Sequence, residues 1–236
     1  LVEKRYAADS SPVRSIIDAL RETNAICGKY RTPGGLDVKI KSHAFSDSIV
    51  RRIRVEEKSQ EYIMRTLDWE LFQLALMQIS LLEDGVFIRG CMNIGPMYAR
   101  QEVFFGEAFN EAYRIESKEA VNPVIVLSQS VVDCITTYPH YQGYELLSTF
   151  GNPNMKYNHS YTYLNYLYLI KTLNLLTDRI QIEKFIVSHR DRVQDEISRN
   201  LDNVQVLMKY LWLKELHNHY VKQMEPFADR ADLLIG

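Results

Sequence analysis

The sequence predicts an α+β sandwich, with helices covering one face of an antiparallel-rich sheet. Two observations carry that expectation: the apolar residues alternate repeatedly between helical and strand periodicity, and the breaks between such stretches are short and rich in Gly, Pro, Asn and Asp. Residues 11–30 place Val13, Ile16, Ile17, Leu20 and Ile26 at helical spacing, with Gly28 as the stop. A turn at Thr32-Pro33-Gly34-Gly35 leads into LDVKIKSHAF and then SIVRRIRV, which read as a hairpin with Ser46-Asp47 at its tip. Residues 57–83 return to a helical pattern through Tyr62, Ile63, Leu67, Leu71, Leu74, Ala75 and Ile79. After Asp84-Gly85, VFIRGCMNIG and PMYARQEVFF read as a second strand pair. FFGEAFNEAYRIES then passes from a strand end through a glycine into an amphipathic helix, and Asn122-Pro123 opens a short buried strand, VIVLS. One more strand, upstream of Leu1, is expected to complete the sheet.

The composition changes near Asp133, so the chain divides into an α+β domain over residues 1–132 and an extension over residues 133–236. Tyrosines crowd residues 138–168, and Gly-Asn-Pro-Asn at 151–154 makes a loop. Residues 179–221 read as one long helix. Its stripe of Val193, Ile197, Leu201, Val204, Met208, Leu211 and Leu216 either forms a coiled-coil seam or packs on the rest of the protein.

A chain of 236 residues with 46% hydrophobic content can bury one substantial core and carry a smaller appended unit. The formal net charge of -2 argues against a generic nucleic-acid coat, so no nucleic-acid partner is expected. No run of about 18 apolar residues is present, and the opening LVEKRYAADSS lacks a hydrophobic signal core, so no membrane partner is expected either. Cys27, Cys91 and Cys134 are odd in number and widely spaced, with no CxxC pair, which points to a reducing, cytoplasmic setting.

Two constellations have chemistry in them. Asp47 stands at a hairpin tip between Lys39 and Lys41 on one side and Arg51, Arg52 and Arg54 on the other. A carboxylate there either holds a hard cation for phosphate chemistry or simply makes the turn, which Asp favours for its own reasons. Asn110 and Arg114 are one helical turn apart, off the apolar stripe of Ala108, Phe109, Ala112 and Ile115. An arginine fork beside an amide suits charge developing on a phosphoryl group; the alternative is a solvated face with Glu107, Glu111 and Glu116 as partners. The six histidines have no HExxH spacing, and Walker A, GxGxxG and GxSxG motifs are absent from the sequence.

The ordered set of a hairpin Asp in FSDS, a helix, IRGCMNIG, FFGEAFNEAYRIE and PVIVLS, over roughly residues 10–130, resembles the signature of class III nucleotide cyclases. The resemblance implies a ferredoxin-like catalytic domain and a homodimer with active sites shared between subunits. By position, Asp47 resembles a metal-binding aspartate of two Mn²⁺ or Mg²⁺ ions per site, Asn110 the asparagine that orients the ribose, and Arg114 the arginine that stabilises the phosphorus transition state. The second metal aspartate is expected upstream of residue 1, in a motif similar to F-x-D-x-x-G-F that these residues do not contain.

The resemblance also implies that His43, four before Asp47, and Val103, seven before Asn110, face the base, with Phe45 beside them. Neither the Lys/Asp pair of adenylate cyclases nor the Glu/Cys pair of guanylate cyclases is present, and valine offers a purine edge no hydrogen bond. Arg89 either contacts phosphate or pairs with Glu83. With its Tyr-rich, helical tail the chain is most similar to the pyrimidine cyclases of bacterial Pycsar anti-phage systems. That resemblance implies conversion of UTP, ahead of CTP, to a cyclic monophosphate that activates an effector. The alternative is a non-catalytic nucleotide-sensing or dimerisation module on the same fold.

Overall fold

The computed structural model describes residues 28–31, 35, 37–45, 48–55, 58–83, 85–100, 103–137, 147–148, 161–172 and 179–236. The upstream strand, most of the helix expected over residues 11–30, the Ser46-Asp47 tip and most of the Tyr-rich segment lie outside them. The protein is α+β, and it falls into two compact units, Leu1–Val86 and Phe87–Gly236.

In the first unit, β1 (Gly28–Arg31), β2 (Asp37–Phe45) and β3 (Ser48–Ile53) form an antiparallel sheet in that order, and α1 (Gln60–Glu83) follows. Gly28 therefore opens a strand here, since Gly28–Arg31 pairs with Asp37–Ile40 of β2. Strand alternation buries Val38 and Ile40 and turns Lys39 and Lys41 outward, as a sheet with one solvated face requires. The β2–β3 hairpin is in the register the pattern predicts, with Phe45 opposite Ser48 and His43 opposite Val50. Met64, Leu67, Leu71, Ala75 and Leu82 of α1 are buried, and so are three polar side chains, Thr66, Glu70 and Gln78.

The second unit runs β4 (Gly90–Met92), β5 (Tyr98–Arg100), β6 (Val103–Phe105), α2 (Glu107–Lys118), β7 (Ile125–Leu127) and α3 (Gln129–Thr136). It continues through β8 (Leu147–Ser148), β9 (Tyr163–Leu164), α4 (Tyr166–Thr172), α5 (Arg179–Arg199) and α6 (Val204–Val221). The sheet order is β4-β7-β9-β8, with β4 and β7 parallel, while β5 and β6 make a separate two-stranded hairpin. The expected pairing of VFIRGCMNIG with PMYARQEVFF is thus corrected: the second segment folds back on itself, and β4 pairs with β7. Parallel neighbours need a crossover connection, and α2 supplies it. β9, from beyond residue 133, pairs with β7, from before it.

Ile125, Val126 and Leu127 are buried with Tyr163, Leu164, Trp212, Leu213 and Leu216, each such side chain worth about 1.5–3 kcal/mol of burial. Tyr163 meets Trp212 edge to face at 5.5 Å. The single helix expected over residues 179–221 is in fact an antiparallel pair. Asn200–Asn203 break it, and the Asn203 side chain accepts from Val206 N–H to cap α6. Leu201, Val204 and Met208, three members of the expected stripe, are exposed at and after this turn. No helix among the described residues is long and apolar enough to cross a membrane.

Candidate functional site

The FFGEAFNEAYRIES stretch becomes β6, a bend at Gly106 and α2. Gly106 has φ +133°, and a Cβ there would lie 2.9 Å from the Pro96 carbonyl oxygen, so both the backbone angle and the space require glycine. The Ala108 N–H donates to that same carbonyl at 3.1 Å. On the other side, Asn93, just beyond β4, donates from Nδ2 to the Ala108 carbonyl at 2.9 Å. The Ser130 hydroxyl shares its one proton between Asn93 Oδ1 at 2.8 Å and the Ile94 carbonyl at 3.0 Å. Ser128, which caps α3, lies 2.9 Å from Ser130 Oγ. The carboxyl ends of the adjacent parallel strands β4 and β7 are therefore clasped to the first turns of α2 and α3. Sequence reasoning passed over Asn93 and Ser130; the signal it had was an Asn directly after a strand and a Ser-x-Ser spanning the start of a helix.

From this anchored start, α2 buries Ile115 and leaves Asn110 and Arg114 on an exposed face. Arg114 is fully engaged. Its Nε and Nη2 donate to the two carboxylate oxygens of Glu111 at 2.7 and 2.8 Å, and its Nη1 donates to Glu119 at 2.6 Å. The hydrogen bonds it donates to Glu111, then Glu119, raise the arginine's pKa further, and the same bond lowers that of Glu111. In this conformation the arginine displays the solvated-face alternative, with Glu119 as a partner the periodicity did not single out.

Arg89 sits on the opposite side of the acidic cluster, with Nη2 at 2.8 Å from Glu116 and Nη1 donating to the Ala120 carbonyl at 3.1 Å. Within the second unit its ion-pair partner is Glu116 of α2. Val103 is 57% exposed on β6, on the same face as Phe105, which stacks on Tyr98 at 4.9 Å. Cys91 lies between these parts, its thiol pushed up to about 12 by burial and then by the Glu111 and Glu119 charges, so it is no nucleophile at neutral pH.

The remaining candidates belong to the first unit. His43 stands two residues before the end of β2 with Nε2 3.4 Å from Arg52 Nη2, and Phe45 ends the same strand. Asp47 lies outside the described residues. Of the cations around it in sequence, Arg51 is committed to the buried Glu70, with Nη2 3.0 Å from each carboxylate oxygen. Among the described residues no three His, Cys, Asp or Glu side chains gather to hold a metal ion. Of the tyrosines crowding residues 138–168, Tyr163 and Tyr166 are buried, and Tyr161 accepts a hydrogen bond from Asn122. No protein-family model, curated protein or solved structure matches the chain.

Proposed function

We propose that this chain carries the catalytic domain of a pyrimidine nucleotide cyclase, built on a ferredoxin-like class III cyclase fold. The observation that supports this reading is the exposed face of α2, where Asn110 and Arg114 project one turn apart from a helix whose start is fixed by Gly106 and Asn93. In the reaction, the ribose 3'-hydroxyl attacks the α-phosphorus of UTP, or CTP, closing the ring and expelling pyrophosphate. The Asn110 amide holds the ribose, and the Arg114 guanidinium, released from Glu111 and Glu119, takes the charge that develops on the α-phosphoryl oxygens. Val103 offers a base edge no hydrogen bond, which counts against a purine; His43 and Phe45 are carried with it as base-facing positions by the resemblance alone.

Two divalent ions, Mn²⁺ or Mg²⁺, belong to the reading through Asp47 and a second carboxylate, and would neutralise triphosphate charge. The described residues do not make that site by themselves, so no step above passes through it. The enzyme works as a homodimer in the cytoplasm. Its cyclic product is a second messenger of anti-phage defence, read by a cyclic-nucleotide-responsive effector.

Arg114→Ala tests the assignment. A group that acts in the transition state loses kcat far more than it raises KM when removed. A loss confined to KM removes Arg114 from that role. One observation favours the second reading, a non-catalytic nucleotide-sensing module: all three kinds of Arg114 nitrogen are taken up by carboxylates. In that case wild-type protein binds a nucleotide but forms no product.

A further inference from the structure

Four groups of the second unit form a buried chain that the proposed reaction does not use. The Tyr166 hydroxyl of α4 is 2.8 Å from His189 Nε2 of α5, His189 Nδ1 is 3.1 Å from His217 Nδ1 of α6, and His217 Nε2 is 2.8 Å from the Leu233 carbonyl. Both imidazoles are at most 1% exposed. Their planes are 11° apart with ring centres at 5.0 Å, an offset parallel pair whose Nδ1 atoms face at 3.1 Å.

The carbonyl fixes every proton in the chain. Leu233 O only accepts, so His217 carries its proton on Nε2 and presents a bare Nδ1. His189 must then donate from Nδ1, which leaves its Nε2 bare to accept from the Tyr166 hydroxyl. A proton added to His217 Nδ1 sets two N–H groups against each other. Shifting the His189 proton to Nε2 instead points it at the Tyr166 hydroxyl, whose own hydrogen loses its acceptor. Either way a buried donor is left unmade, which is costly.

We propose that this chain is a protonation-sensitive latch that holds the last turn and the segment after it on α5 and α6 at neutral pH and releases them on acidification. The same segment is held by Asn218, which accepts from the Ile235 N–H at 2.9 Å and donates to the Ile235 carbonyl at 3.0 Å, by Lys214 at the Gly236 carbonyl and by Arg190 at the Asp232 carbonyl. Of the titratable and charged groups, Tyr166 of α4 bonds His189, the two imidazoles face each other, and Arg190 of α5 acts on His217. The carboxylates of Asp191 and Asp232 are engaged by Arg190 and Arg230 respectively. Burial holds His189 well below the ordinary imidazole range, with His217 adding to it; burial also lowers His217, against the pull of the Leu233 carbonyl. Because the folded values are depressed, the stabilisation is complete above the ordinary histidine pKa and is lost as pH falls below it.

Amide hydrogen exchange at Ile235 tests this. With one histidine taking up a proton at its ordinary pKa of about 6.5 on opening, exchange corrected for intrinsic chemistry is about 30-fold faster at about pH 5 than at about pH 7.5. Ile115 in α2 serves as the control, with no comparable change. His217→Gln, which keeps a donor for Leu233 but cannot take up a proton, is expected to weaken the dependence, leaving what His189 contributes. If that variant does not fold, ¹⁵N imidazole shifts of the wild type at neutral pH decide: His189 is expected as the Nδ1–H tautomer and His217 as Nε2–H. A pH-independent Ile235, equal acceleration at Ile115, undiminished dependence in the glutamine variant, or the opposite tautomers would overturn the proposal.

Discussion

Replacing Gly106 with alanine isolates what anchors the start of α2. Gly106 has φ +133° and ψ 175°, a region that side-chain-bearing residues hold only at a cost of about 1–3 kcal/mol. The added Cβ also meets the Pro96 carbonyl oxygen at 2.9 Å and Met97 Cα at 3.0 Å, backbone atoms that cannot rotate away. The two effects together place the loss near the top of that range, about 3 kcal/mol, or roughly 6–12 °C in the melting of a unit this size. Two neighbours act as controls in the same region. A Cβ at Gly95 makes an ordinary 3.4 Å contact with Ala108 Cβ, and one at Gly90 meets nothing within 4 Å, so Gly90→Ala is expected to stay within about 1 kcal/mol of the wild type. Thermal unfolding of the three variants, followed by near-ultraviolet circular dichroism, is the assay. A Gly106→Ala protein that melts within about 2 °C of the wild type would refute the reasoning, because neither strain nor clash would then be present.

Two other perturbations have defined outcomes. Asn93→Ala removes the bridge between the Ala108 carbonyl and Ser130, and is expected to cost about 1–2 kcal/mol in urea unfolding and to speed amide exchange in the first turn of α2; unchanged exchange there would mean that Asn93 does not position the helix. Glu70→Gln replaces the buried carboxylate that accepts from Arg51 by a neutral amide, and its effect on the first unit, read by urea unfolding across pH, is expected to be pH-dependent. Burial raises the Glu70 pKa against the opposing pull of Arg51, so its contribution is fully present below the ordinary carboxylate pKa and is lost as pH rises through the folded value. That slope should vanish in Glu70→Gln, and a slope that persists would assign it to another group.

Local pattern made some of this fold legible. The β2–β3 hairpin follows from the alternation that buries Val38 and Ile40 and exposes Lys39 and Lys41, and α2 follows from a strong apolar stripe ending on the buried Ile115. The parallel pairing of β4 with β7 was not legible, because Gly90-Cys91-Met92 is too short to show a period and its partner lies across α2. Nor was the break after α5, since Leu201 and Val204 continue the helical spacing although the chain turns and exposes them. Side-chain alignments of Asn110 and Arg114 could be read from helix geometry alone, but the carboxylates that hold Arg114 could not: Glu119 lies beyond the last residue of α2. The His189–His217 contact joins residues 28 apart on two helices that the sequence presented as one.

The most direct test of the central claim is incubation of the full-length protein with Mn²⁺ and each of ATP, GTP, CTP and UTP in turn, with products identified by mass spectrometry. The cyclase reading predicts cyclic UMP or cyclic CMP from one pyrimidine triphosphate, pyrophosphate in equal amount, and loss of both in Arg114→Ala. No cyclic product from any of the four, or product formation that Arg114→Ala leaves intact, would contradict it.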